Sequence, residues 1–176
     1  TAYEIVSRDW SSDVCSSDLP GFSATLYAQS GATPTVLDNT ELSTWADVNA
    51  IAIEANALPV EAIPAYGQDD AVANFNVAGA RQSDKIPTQA APTSMTITAA
   101  WNPADTQLLQ MRDDAYNGTI DRTFVILATD GQGNFVAYAF NGRVGQFSVD
   151  PNPSAETKCT FTVHPRGNQY GWSNNT

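Results

Sequence analysis

Thr93–Gly167 reads TSMTITAAWNPADTQLLQMRDDAYNGTIDRTFVILATDGQGNFVAYAFNGRVGQFSVDPNPSAETKCTFTVHPRG, and its pattern decides the fold. In Thr93–Trp101, Met95, Ile97, Ala99 and Trp101 alternate with Ser94, Thr96, Thr98 and Ala100, the two-residue period of a half-buried strand. Asn102 then reads as a helix cap. Pro103 takes the first helical position, where its missing N–H costs nothing, and Asp105 lies near the positive end of the dipole. Ala104, Leu108, Met111 and Ala115, widened by Leu109 and Tyr116, form an inward stripe. Gly118 supplies a left-handed stop, so the helix is expected over about 103–117. The same cap explains the formal glycosylation sequon Asn117-Gly118-Thr119.

Strands follow. Phe124, Ile126 and Ala128 oppose Thr123, Val125 and Leu127, so this segment is apolar on both faces and belongs inside a sheet. Asp130-Gly131 with Gly133 makes a tight turn into NFVAYAFN, again apolar on both faces. Gly142 and Gly145 predict a bulge or a close backbone approach before Val144, Phe147 and Val149. After the Asp150–Pro153 turn, Lys158–His164 turns Cys159, Phe161 and Val163 inward. The expected core is Trp101, Leu108, Met111, Phe124, Ile126, Phe140, Phe147, Phe161 and Val163.

Toward the N-terminus the signals weaken. Phe22–Gln29 alternates as a strand, and Thr33–Leu37 is a short β-branched run. Trp45–Glu54 is expected to be a strand, with Ile51 and Ile53 pointing one way. Leu58–Ile63, held between Pro59 and Pro64, suits an edge or a bend. From about 65 to 92 the chain is rich in Ala, Asn, Gln and Asp, and reads as a long loop or hairpin arm. Asp69, Asp70, Arg81, Asp84 and Lys85 mark it either as a solvated loop or as a contact arm that orders against a neighbouring subunit. The tail from Pro165, with Tyr170 and Trp172 among polar residues, is expected to need a partner surface to order.

The 176 residues, 42% hydrophobic, suit one domain. Thr1–Leu19, TAYEIVSRDWSSDVCSSDL, has no structural period and closely resembles the in-frame translation of a sequencing-adapter primer. It is therefore set aside as non-native, leaving 20–176 as the expected domain. Without its four acids and one base, the 19 acidic and 8 basic residues become 15 and 7, a net charge of −8 instead of −11. That balance gives no basic face for specific nucleic-acid binding, and no apolar run reaches the roughly 18 residues of a membrane-spanning helix. With Cys15 set aside, Cys159 is a lone thiol.

The sequence contains little that resembles catalytic machinery. Cys159 and the single histidine, His164, lie five apart on one strand, so they face opposite sides and form no dyad. No His/Cys cluster, calcium loop, P-loop or dinucleotide fingerprint occurs, so neither an enzyme nor a cofactor is expected. One local conflict stands out at the helix end. Asp113 and Asp114 occupy the last turn, where the dipole disfavours negative charge by about 0.3–1 kcal/mol each, and Arg112 offsets only part. A tolerated surface pair or a basic partner from another subunit would each account for it.

The order of a strand ending in an aromatic, NPADTQLLQMRDDAYNGT, a hydrophobic strand, FNGRVGQFSVDPNP and a final TFTVHPRG strand resembles the major tail tube protein of long-tailed bacteriophages. The resemblance covers roughly 33–167 and is clearest from Met95 onward. It implies a mainly β fold, an antiparallel β-sandwich or partly open barrel with one flanking helix, whose copies close into hexameric rings. Stacked rings would surround a tape-measure protein, join terminator and baseplate proteins, and later pass DNA as non-specific cargo. It implies a structural virion protein, assembled in the bacterial cytoplasm, with no membrane partner. Strands apolar on two faces, the arm at 65–92 and the helix end at Arg112, Asp113 and Asp114 would then be contact sites between copies. Two other readings stay open: a type VI secretion tube protein of the same fold, and a secreted carbohydrate-binding β-sandwich with Trp45, Trp101 and Trp172 as a stacking platform.

Overall fold

A computed structural model of the chain describes residues 23–75, 84–130, 132–151 and 156–174, and for residues 68–90 the backbone alone. The segment read as adapter-derived lies outside the described residues. The described residues form eight strands, β1 (Ser23–Ala28), β2 (Val60–Ala62), β3 (Gln68–Phe75), β4 (Asp84–Pro92), β5 (Met95–Ala100), β6 (Asp121–Thr129), β7 (Phe135–Asp150) and β8 (Lys158–Ser173). Helices α1 (Asn39–Leu42), α2 (Trp45–Asn49) and α3 (Thr106–Asn117) complete it, with a 3-10 turn at Glu54–Asn56.

Six strands form one antiparallel sheet in the order β1-β6-β7-β8-β5-β2, and β3 and β4 form a separate two-stranded sheet. The large sheet folds on itself because β7 and β8, 16 residues each, run through both of its halves. Phe135–Asn141 of β7 lies between β6 and the C-terminal part of β8. Past the bend, the N-terminal part of β8 lies between β7 and β5. The pairing register shifts between Phe140 and Asn141, where Gly167 at φ 72° lies in the bulged partner strand. It shifts again between Gly145 and Ser148, beside Gln146 at φ 51°. The two outer edges nearly meet, since the Leu58 N–H donates to the Leu26 carbonyl at 2.9 Å and Tyr27 bridges Ala57. The architecture is a mainly β sandwich approaching a closed barrel.

The main core fills the inside of this fold: Leu26, Met95, Ile97, Phe124, Ile126, Phe140, Phe161 and Val163, with Leu108 and Met111 from α3. Trp101 and Phe147 are half-buried against it, edge to face at 5.6 Å. A second cluster covers the outer face, where Leu42, Val48 and Ile51 pack on Val125 and Ala139. The chain itself therefore covers the second apolar face of β6 and β7.

Several local expectations give way to tertiary structure. Trp45–Asn49 is helical and residues 50–54 turn, rather than forming one strand, because Leu42, Val48 and Ile51 are buried together on the outer face of β6 and β7, just after the Asp38–Glu41 capping box that starts α1. Ile51 and Ile53 do not share a face, at 6% and 49% exposure. The Thr33–Leu37 run joins no sheet; it is a strap whose Leu37 N–H donates to Thr123 Oγ1 (3.0 Å) and whose Leu37 carbonyl accepts from Asn141 Nδ2 (2.7 Å). The tail needs no second copy to order, because β8 continues through Tyr170 and Trp172 by pairing with β7. Helix α3 starts three residues later than expected: Asp105 accepts from the Gln107 and Leu108 N–H groups, while Asn102 only turns the chain by accepting from Ala104 N–H. Gly118, at φ 64°, ends it as the sequence indicates.

A Cβ on Gly142 would lie 3.1 Å from Val163 Cγ1 and 3.3 Å from the His164 carbonyl and Phe124 Cδ2. Gly142→Val is therefore expected to lower stability by about 1–3 kcal/mol in urea unfolding, and a wild-type midpoint would refute the close approach. Cys159 is fully buried and burial raises its thiol pKa, so thiolate is scarcer there than in an exposed cysteine at any given pH. Iodoacetamide at pH 8 is expected to spare Cys159 in native protein and modify it in urea, as mapped by peptide mass spectrometry.

Candidate assembly interface

The conflict at the end of α3 is resolved within the chain. Asp114 is buried at 1% exposure, and so is Arg122, whose Nε and Nη2 donate to its two carboxylate oxygens, the latter at 3.0 Å. Arg122 Nη1 donates to the carbonyls of Gln29 and Gly31, both at 2.7 Å. The Gly31 N–H in turn reaches Gln110 Oε1 at 3.2 Å. The negative charge in the last helical turn is thus met by a positive one at the start of β6. Arg112 and Asp113 remain outside as a surface pair at 2.8 Å. Parity carried the missed signal: Arg122 has the inward phase of Phe124 and Ile126, and Asp114 follows Met111 by three residues on the buried side of α3.

The arm is a hairpin. Asp69 and Asp70 lie on β3 and Asp84 and Lys85 on β4, with Asp69 opposite Ala91, Asp70 opposite Ala90 and Phe75 opposite Asp84. Arg81 lies outside the described residues. At the base, Thr93 N–H donates to the Gly67 carbonyl at 3.2 Å, and Tyr66 packs on Tyr138 with ring centroids 4.9 Å apart. Burial, together with Tyr66, raises the Tyr138 pKa. Neither β3 nor β4 joins the six-stranded sheet. A two-stranded ribbon with both edges open is marginal by itself in water.

The aromatics divide. Trp45 stacks on Phe135 at 4.8 Å and meets Trp172 at 5.8 Å, beside a shallow cleft of about 380 Å³ at the end of the β6–β7 hairpin. Trp101 sits against the inner core instead, so the three tryptophans do not form one platform. At the hairpin tip Asp130 accepts from Asn134 Nδ2 at 2.6 Å and from the Gln132 and Asn134 N–H groups. Those bonds, chiefly that from the Asn134 side chain, lower its pKa. Lys158 pairs with Glu61 across the sheet edge, and that hydrogen bond raises the lysine pKa.

Because Arg122 and Asp114 are both buried, removing one strands the other. Arg122→Met is expected to cost about 3–5 kcal/mol in chemical denaturation. The double change Arg122→Met with Asp114→Leu should recover most of that loss. A single variant as stable as wild type would show that the pair is not held as described.

No protein-family model and no curated protein matches the chain. Solved structures do. A chain of the anti-feeding prophage baseplate, solved with six-fold symmetry, aligns at TM-score 0.64 and 9% identity over 92% of this chain and 99% of its own. A chain of the sheath/tube terminator of an extracellular contractile injection system gives 0.61 and 10% identity over 90% and 99%. The SPP1 tail tube gives 0.52 and 13% identity over 87% and 77%. At these identities the likeness is one of fold, and the fold is that of subunits from tail tubes and their baseplate and terminator assemblies.

Proposed function

We propose that this chain is a structural subunit that assembles with itself into a hollow tube, its copies closing into hexameric rings that stack. The observation that carries this reading is the end-to-end fold likeness to tube-associated chains, which spans nearly the whole of two neighbours. The hairpin β3–β4 supports it, since an open-edged ribbon outside the main sheet is suited to reach an adjacent copy. A heterologous contact that closes by rotation forms a ring, and a second one that does not close extends it. In this reading the protein is a virion tail component assembled in the host cytoplasm, with a tape-measure protein inside and terminator or baseplate proteins at its ends. DNA is passing cargo, which the acidic balance of −11 does not grip. Its role is structural rather than catalytic, and Arg112 and Asp113 remain a proposed contact at the outer end of α3.

A second reading has a specific basis: one neighbour belongs to the anti-feeding prophage baseplate and another to the sheath/tube terminator of an extracellular contractile injection system. A terminator or baseplate ring would stop at one or two layers, whereas a repeating tube subunit would grow. Negative-stain electron microscopy of purified protein separates the two. Long tubes are expected, isolated rings would favour the capping role, and a strictly monomeric protein at high concentration would sink both.

The arm is tested by removal. Its two ends are already hydrogen-bonded between Gly67 and Thr93, so residues 68–92 can be replaced by a two-residue Gly-Ser turn. The shortened protein is expected to melt cooperatively yet form no long tubes. Tubes indistinguishable from wild type would make the hairpin an ordinary surface loop.

A further inference from the structure

Among the cations whose side chains are described, Arg112, Arg122 and Lys158 each pair with one carboxylate, Asp113, Asp114 and Glu61, and one place differs. Asp121, Arg143 and His164 are register partners across β6, β7 and β8. Arg143 Nε donates to Asp121 Oδ1 at 2.9 Å, and Arg166 Nη1 donates to Asp121 Oδ2 at 2.9 Å. Ser94 Oγ meets His164 Nδ1 at 2.9 Å. One carboxylate thus serves two guanidiniums, and among the described residues the row keeps an uncompensated positive charge, on a chain of net charge −11. It is open to solvent: the Arg166 side chain is 55% exposed and that of Arg143 33%.

The opposite charge lies on the flap formed by Asp38–Glu54, which holds α1 and α2. Asp38–Glu54 carries Asp38, Glu41, Asp47 and Glu54 and no base. Asp38 and Glu41 serve the capping box, whereas Asp47 and Glu54 are exposed and make no ion pair among the described residues. Ile53, beside Glu54, is 49% exposed, which adds an apolar contact to the acidic surface. Flap and row lie on the same outer face, the flap over Val125 and Ala139 and the row farther along at Arg143. No carboxylate of the flap forms a salt bridge with the row. Each copy therefore presents a negative end and a positive end on one face, a distribution complementary to a second copy in head-to-tail order.

From this we infer that the Arg143–His164–Arg166 row is a docking surface for the acidic α1–α2 flap of a neighbouring copy, with Asp47 and Glu54 as the incoming carboxylates. The inference rests on the self-assembly reading and adds the contact that sets the order of copies. Nucleic-acid phosphates fit the row less well, because one surplus positive charge on an acidic chain gives no track along a phosphate backbone.

The test is made on the full chain by sedimentation velocity and negative stain across a concentration series. Arg166→Glu is expected to raise the concentration needed for assembly at least about tenfold, and Arg166→Gln by a smaller factor. Adding Asp47→Lys and Glu54→Lys to Arg166→Glu is expected to return it toward wild type. Thermal melts by circular dichroism check that each variant folds; if Arg166→Glu does not, Arg166→Gln decides. Wild-type assembly by a folded Arg166 variant, or no recovery in the charge-swapped chain, overturns the inference and leaves the tube reading intact. A monomeric wild type overturns both. Binding of a fluorescent DNA duplex that disappears in Arg166→Gln would also overturn it, by making phosphate the occupant.

Discussion

Arg122 is the side chain on which the subunit depends. Its guanidinium, buried at 1% exposure, is shared among the end of β1, the strap that follows it and the end of α3. Taking an ion pair out of water carries a penalty of several kcal/mol per ion, offset only when the remaining donors and acceptors are met. Here Asp114 supplies both carboxylate oxygens and two backbone carbonyls take the opposite edge of the fork, a planar geometry that lysine cannot reproduce. The same contact fixes where β1 ends, and β1 is the strand that nearly closes the barrel through Leu26 and Leu58.

Around that anchor, continuity of the sheet depends on two long strands that bend. Chains of 16 residues cannot stay flat and still enclose a core, so β7 and β8 shift register twice. Gly142 lies at the first shift, with Val163, Phe124 and the His164 carbonyl where a side chain would stand. Phe140 and Phe161 then lie on either side of the bend in a single buried cluster.

The outer face adds a second, smaller layer. The flap of α1 and α2 covers Val125 and Ala139, and Trp45 joins Phe135 and Trp172 at its margin. Buried Gln107 ties this layer to α3 by donating to the Ala55 carbonyl at 2.9 Å. A face that would be an aggregation hazard if bare is thus mostly closed within the chain. The open backbone edges of β3 and β4, and the unequal charge of flap and row, are what the described residues of the chain leave unclosed.

Much of this was legible locally. The period of Met95–Ala100, the inward Phe161 and Val163, the Gly118 stop and the close approach at Gly142 follow from spacing and residue type, because strand alternation, helix periodicity and the absence of a side chain are properties of neighbouring residues. The charge imbalance and the separation of Cys159 from His164 were equally readable. Tertiary structure alone decided the rest. Ile51 and Ile53 fit a strand until packing on the outer face of β6 and β7 buries Ile51 beside Val48, just past the end of α2, and leaves Ile53 outside. Tyr170 and Trp172 lacked a partner only until β7 provided one from about thirty residues away. Asp114 looked misplaced until folding brought Arg122 to it across a turn, since which charges meet, and whether they meet in water or out of it, is set by packing rather than by position along the chain.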